Sequence, residues 1–225
     1  MLSIGECPLG KQPRIIAVVD EVIPAELLRP LVSQADLLEM RIDCWRCPEE
    51  DAVAYLREIR SGLGMPMIGT IRDNDYTRDV RVELFKACIP YVDSIDIELG
   101  TAISAAVLAV AEGKTVIVSE HDFSSTPTLE GLASIVERSR VQGADIVKIA
   151  TMANTRDDVV RLLEFTRSCR VPVAAFAMGP IGMVSRVIAP LFGTLFTYGY
   201  ITNPVAPGQL SVVELADEIG KYFPE

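Results

Sequence analysis

A single histidine, His121, stands among 225 residues. That scarcity excludes a His-Glu-x-x-His zinc helix, a three-histidine metal site, and any mechanism needing two imidazoles in one chain. Long apolar runs are also lacking. The longest, around Ala102 to Ala111, is too short to span a membrane. The first thirteen residues hold Gly5, Pro8, Gly10 and Pro13 but no apolar core segment, so no signal peptide is expected, and the chain reads as soluble and cytoplasmic. Basic charge is short as well. Lys plus Arg is 21 against 31 Asp plus Glu, a net charge of −10, which argues against a dedicated nucleic-acid partner. Five cysteines do not suggest a secreted disulfide scaffold. Cys44-Trp45-Arg46-Cys47 has CxxC spacing, which suits a redox pair or half a metal site. A zinc site would need two further ligands, and Cys7, Cys88 and Cys169 are scattered singly. The plainer expectation is two small apolar residues at a strand end.

Apolar residues make up 49% of the chain, enough to bury a substantial core. Short β-branched runs alternate with helical patterns throughout. The predicted strands are Arg14–Asp20, Asp36–Asp43, Pro66–Arg72, Ser94–Leu99, Thr115–Phe123, Asp145–Thr151, Val171–Met178 and Thr194–Ile201. Most are apolar on both faces, as parallel strands covered on both sides should be. Start signals mark helices between them: Pro48-Glu49-Glu50-Asp51, Thr126-Pro127-Thr128, and Thr155 with Asp157 and Asp158. A further helix is expected over Gly182–Gly193, and Ser211–Phe223 closes the chain as an amphipathic one. No stretch reads as a linker. The pattern predicts a single-domain (β/α)₈ TIM barrel. A doubly wound open sheet would want a glycine-rich turn after the first strand, where Asp20-Glu21-Val22-Ile23-Pro24 stands instead.

Such a barrel carries its chemistry at the C-terminal ends of its strands. Glu39 and Arg41, Thr70 and Arg72, Asp96 and Glu98, Ser119 and His121 are pairs two apart, so the members of each pair share a face. Lys148 lies within Asp145-Ile146-Val147-Lys148-Ile149-Ala150, and lysine is rarely buried without a reason. An amine in low dielectric loses its proton more readily and can attack a ketone or aldehyde to form a Schiff base. Alternatively, Lys148 pairs structurally with Glu39, Asp96 or Glu98. His121, ending the neighbouring strand, could shuttle protons beside an iminium. Gly179-Pro180-Ile181-Gly182 and Arg186 follow the seventh strand, a frequent place for an anion site. Arg41 and Lys148 among the acidic groups would oppose a metal cation, so neither metal nor cofactor is expected.

Together these segments resemble type I 3-dehydroquinate dehydratase, the Schiff-base enzyme of the shikimate pathway. They are Glu39-Met40-Arg41-Ile42-Asp43, Gly69-Thr70-Ile71-Arg72, Asp96-Ile97-Glu98-Leu99, Ser119-Glu120-His121-Asp122-Phe123 with Thr126-Pro127, Val147-Lys148-Ile149-Ala150, Met178-Gly179 through Ser185-Arg186, and Ala206-Pro207-Gly208-Gln209. The resemblance implies that Lys148 condenses with the ring ketone of 3-dehydroquinate. It implies that His121 removes a proton from the adjacent CH₂ and then protonates the departing hydroxyl. Arg186 and Gln209 would contact the substrate carboxylate, Glu39, Arg41 and Arg72 the ring hydroxyls, and Met178 the ring. Asp96 and Glu98 would tune Lys148 and orient His121. A homodimer is also implied. Two departures stand out. Tyr76 occupies the place of a family glutamate that helps orient the histidine, with Asp75 one before it, and Val205 replaces a serine. Glu98, Asp75 and Tyr76 are thus the candidates to hold His121. The other readings are an aldolase-like Schiff-base barrel and a non-catalytic relative.

Overall fold

Residues 2–223 are described by the computed structural model. Runs that are apolar at nearly every position leave no face for solvent, so they form strands covered on both sides. Eight do so here: β1 Arg14–Val19, β2 Leu37–Arg41, β3 Met67–Thr70, β4 Ser94–Glu98, β5 Thr115–Asp122, β6 Ile146–Met152, β7 Val173–Met178 and β8 Phe196–Tyr200. All pair in parallel, in the order β8-β1-β2-β3-β4-β5-β6-β7. Between β7 and β8 single contacts replace the ladder. Leu195 N–H donates to the Val173 carbonyl at 3.1 Å, and the Thr194 hydroxyl sits 3.3 Å from both the N–H and the carbonyl of Ala175. The result is the expected (β/α)₈ barrel, nearly closed.

The helices begin where their caps place them. Thr128 accepts from Gly131 N–H ahead of Leu129–Gln142. Thr155 and Asp158 form a capping box on Arg156–Ser168, as Ser211 and Glu214 do on Val212–Tyr222. Helix Glu49–Leu63 buries Ala52, Tyr55, Leu56 and Ile59, one stripe at helical spacing, against the sheet.

Three local expectations change. The second strand stops at Arg41, and Ile42–Trp45 is a helical turn ending on Arg46 in the left-handed region at φ 50°. Cys44 therefore sits exposed on a turn rather than at a strand end. The helix expected over Gly182–Gly193 is broken into the short turns Gly179–Gly182, Ser185–Ile188 and Ala189–Phe192. The buried Ser185 hydroxyl diverts the backbone there, donating to the Gly182 carbonyl at 2.7 Å and accepting from Ala177 N–H at 2.9 Å, and Pro190 removes a further N–H. The N-terminal segment, where the sequence predicts no element, also folds. Ser3–Ile4 and Cys7–Pro8 form a hairpin, and Ile4 and Leu9 plug the bottom of the barrel.

Inside the barrel, side chains from alternate strands stack in layers. Ile16, Ile68, Ile117 and Ala174 make an apolar layer from the odd strands. The next layer, from the even strands, is Glu39, Asp96, Lys148 and Tyr198. Three ionisable side chains and a phenol thus stand where such barrels ordinarily put Val, Ile or Leu.

Candidate active site

Above that layer the barrel opens into a cavity of about 350 Å³, within the range of small-molecule sites. Its floor is Lys148, nearly inaccessible to solvent and not the isolated amine that its apolar strand suggests. Nζ donates to Asp96 Oδ2 at 2.9 Å and Glu39 Oε1 at 3.4 Å, and it lies 4.2 Å from the centre of the Tyr198 ring. Asp96 is wholly buried; it also accepts from Arg72 Nη2 at 2.8 Å and from the Ser119 hydroxyl at 2.6 Å. Burial alone would raise its pKa. The charges of Arg72 and Lys148 outweigh that and hold the carboxyl well below the usual range. Among the described residues Glu39 has one other donor, the Thr70 hydroxyl at 3.0 Å.

His121 extends from the same face of β5 as Ser119. Ser119 is the register partner of Lys148, so the imidazole's Cα lies two residues, or ~6.6 Å of strand, above the lysine's level. Burial, then the positive charges of Lys148 and Arg72, lower its pKa to about 3, leaving a neutral ring. Neither ring nitrogen is hydrogen-bonded to another described residue, and the ring's aromatic neighbour is Phe123, stacked at 6.1 Å between centres. The candidates for its anchor fare unequally. Tyr76 donates its hydroxyl to the Cys47 carbonyl at 2.6 Å, and Asp75 is fully exposed, 3.4 Å from Arg78. Neither lines the cavity. Asn74 causes this: its side chain accepts from the N–H groups of Tyr76 and Thr77 and donates to the Asp43 carbonyl, folding the loop outward. Glu98 does line the cavity, but its carboxylate is held by Arg81 and lies 3.4 Å from Arg72.

The wall beyond β7 carries Arg186, buried and lining the cavity together with Met178 at the end of that strand. Among the described residues its Nε has no partner, and Nη2 reaches only the Pro207 carbonyl at 3.5 Å. Burial alone lowers its pKa to about 10. A guanidinium desolvated without an anion is a site for one. The loop over it is docked: Gly179 N–H donates to the Pro207 carbonyl at 3.1 Å, and Gln209 Oε1 accepts from Val205 N–H at 2.9 Å. Gly208, at φ 71°, is required there, because a Cβ would fall 2.4 Å from the Gly179 carbonyl oxygen. Arg41 completes the rim, paired with Asp43 at 2.7 and 3.0 Å.

Of the residues singled out in the sequence, Lys148, His121, Glu39, Arg41, Arg72, Glu98, Met178, Arg186 and Gln209 line one cavity, and Asp96 lies just beneath it. Asp75 and Tyr76 fall outside. Sequence reasoning passed over Tyr198 and Arg81. Tyr198 looks like an ordinary aromatic of a buried strand, although its place two residues after Phe196 marks it as inward-facing. Arg81 opens the helix Arg81–Cys88, where a buried arginine leaves no sequence signature. The CxxC pair carries free thiols. Although Cys44 is exposed as a residue, desolvation around its sulfur, opposed by Arg41 and reinforced by Asp43, pushes the thiol up to about 11, which is unsuited to a reactive thiolate.

Comparison with known proteins agrees in detail. The family model described as type I 3-dehydroquinase matches residues 20–219. The 3-dehydroquinate dehydratase of Methanocella arvoryzae is 38% identical over 91% of this chain and 94% of its own length. That of Methanococcoides burtonii is 35% identical over 96% of this chain and 97% of its own. A crystal structure of type I 3-dehydroquinate dehydratase from Clostridium difficile, with covalently modified comenic acid, superposes with a TM-score of 0.86 at 27% identity. It covers 98% of this chain and 97% of that one. With nearly the whole chain matched, the aldolase-like alternative falls away, and the chain belongs to the type I 3-dehydroquinase family.

Proposed function

We propose that the protein is a single-domain 3-dehydroquinate dehydratase, a hydro-lyase that forms 3-dehydroshikimate and water through a Schiff base on Lys148. The observation that carries this reading is a buried lysine amine at the floor of a cavity whose wall holds a buried, unpartnered guanidinium, Arg186. One suits the ketone of the substrate and the other its carboxylate.

Lys148 Nζ attacks the ring ketone. The ketone oxygen leaves with two hydrogens as water, and a protonated imine remains. Neutral His121 takes a proton from the adjacent CH₂, and the electron pair moves into the imine as an enamine. The imidazolium then gives that proton to the departing hydroxyl, and the electrons return as the new ring double bond forms. Water hydrolyses the imine and restores Lys148. Asp96 holds the nitrogen, Glu39, Arg41 and Arg72 face the ring hydroxyls, and Met178 packs against the ring. Gln209 serves through the lid loop that it braces at Val205. Glu98 stands beside Arg72 as a wall carboxylate. No cofactor or metal is required by these steps.

The finer reading is a homodimer working in the cytoplasm. Free thiols at all five cysteines suit a reducing compartment. The exposed apolar side chains Ile181, Met183, Val184 and Leu191, beyond β7, suit burial against a second copy. Incubation with 3-dehydroquinate should produce the enone absorbance of the product, and borohydride should leave one reduced adduct, mapped by mass spectrometry to Lys148. An unmodified Lys148 with no enone would sink the assignment.

A further inference from the structure

We infer that Arg81, bonded to Glu98 but not itself lining the cavity, is a positioning residue that keeps the Glu98 carboxylate from drawing Arg72 off the cavity floor; this rests on the function proposed above.

The case begins where β3 ends. Its pairing with β2 and β4 stops at Thr70, so Ile71 and Arg72 lie beyond the ladder, and side chains take up their carbonyls. Arg81 Nε donates to the Ile71 carbonyl at 2.6 Å, and the Thr77 hydroxyl donates to that of Arg72, also at 2.6 Å. Arg81 Nη2 donates to Glu98 Oε2, the same oxygen that lies 3.4 Å from Arg72 Nη1. Both bonds of the Arg81 guanidinium therefore bear on Arg72, one through the peptide before it and one through the carboxylate beside it. A tie between helix and strand would need only the first, and a cation is costly to bury for that alone.

From Arg81 inward the charges alternate in sign: Glu98, Arg72, Asp96, Lys148, Glu39. Glu98 is shared unequally. Arg81 donates to it, whereas Arg72 stands off at 3.4 Å and bonds instead to Asp96 at 2.8 Å and to the Ser119 hydroxyl at 3.0 Å. Without Arg81, Arg72 would be the one cation left to Glu98 among the described residues. A pair of this kind, unopposed, closes to about 2.7–2.9 Å. The nitrogen facing Glu98 is Nη1, which also holds Ser119, so closure there competes with the Ser119 bond and turns the guanidinium from Asp96. Arg72 lines the cavity, and its aim at a bound substrate shifts with that turn.

Arg81→Met, alone and with Glu98→Gln, tests this. Arg81→Met should lower kcat/KM roughly ten-fold, through kcat as well as KM, the scale of one misdirected charged hydrogen bond. Adding Glu98→Gln should recover at least about three-fold of that loss, since a neutral amide no longer draws on Arg72. Arg81→Lys, which keeps a cation on Glu98, should stay within about three-fold of the parent in kcat/KM, and it decides the matter if Arg81→Met does not fold. Urea unfolding of each variant separates these effects from a weakened fold. The inference is overturned, with the proposed function left standing, by parental kinetics in Arg81→Met, by a double variant no faster than Arg81→Met, by an Arg81→Lys slower than expected, or by losses that follow the unfolding midpoint. A parent protein that forms no enone from 3-dehydroquinate overturns the proposed function, and this inference with it.

Discussion

At the floor of the cavity, Lys148, Asp96, Glu39, Arg72, Thr70 and Ser119 bond to one another at 2.6 to 3.4 Å, and all but the partly exposed Arg72 are almost closed to solvent. Near the mouth and along the wall, His121 makes no hydrogen bond to a described residue, and Arg186 has an orphaned Nε. Both regions are rich in charge, so composition does not separate them. The floor is fixed before substrate arrives, its donors and acceptors matched. The upper groups are desolvated yet unmatched among the described residues, which suits the proposed substrate, a ligand with an acidic CH₂, a leaving hydroxyl and a carboxylate. Electrostatic preorganisation belongs where charge persists through the reaction, and unmet valence belongs where substrate binds.

The sharpest way to break this contrast is His121→Ala. If the upper groups act only on bound substrate, turnover should drop ~10²- to 10⁴-fold, the usual contribution of a general acid-base. The floor should be untouched, so borohydride should still trap an imine on Lys148. Near-parental turnover would remove His121 from the mechanism. The same residue predicts a pH effect. Its folded pKa, about 3, lies below the ordinary value of ~6.5. The stability it contributes is therefore fully present above ~6.5 and is lost as pH falls through about 3. Asp96, also depressed, acts in the same direction at lower pH. His121→Ala should thus lose less of its melting temperature than the parent between pH 6 and 4, values chosen to fall inside that window. The kcat/KM of the parent should show no limb near 6.5 from this imidazole, because kcat/KM reports the free enzyme. A limb there would mean that the ring is solvated before substrate binds.

Arg186→Met should have the next largest effect, and it divides the two regions differently. A charge-assisted bond to a carboxylate contributes about 1.5–3 kcal/mol, so kcat/KM should fall roughly 10- to 150-fold, mostly through KM. Stability should hold or improve, because an unpaired buried cation is replaced by an apolar chain of similar reach. Urea unfolding beside steady-state kinetics measures both. A destabilised variant with unchanged KM would make Arg186 part of the fixed structure instead.

The sequence exposed the floor better than the upper parts, for a physical reason. In a strand covered on both faces, a charged residue contradicts everything around it, so Lys148, Asp96 and Glu39 stand out at period two. Boundaries fell within a few residues for the same reason, except at β2, where the chain turns helical after Arg41. Tyr198 was not legible, since an aromatic agrees with its surroundings and only coordinates reveal that its oxygen has no partner. Nor was the N-terminal plug, because Gly5 and Pro8 read equally well as a loose tail. Arg81 reaches Glu98 across 17 positions of sequence, a pairing no local pattern encodes.

The loop after β3 offers the mildest test, and it bears on the anchor of His121. Alignment of the loop against the family pattern puts Tyr76 where a glutamate would orient the histidine, yet the Asn74 turn carries its hydroxyl away to the Cys47 carbonyl. Tyr76→Phe removes one bond between half-exposed groups, worth about 0.5–1.5 kcal/mol at most. Turnover should stay within about three-fold of the parent, and the pH dependence of kcat should be unchanged. Tyr76→Glu is the informative companion. The Asn74 turn holds the backbone rather than the side chain, so the new carboxylate should stay outward and leave the rate alone. A marked change in the pH profile with Tyr76→Glu would show that the loop swings inward over bound substrate, and that the unmet bond of His121 is filled from the protein rather than by the ligand.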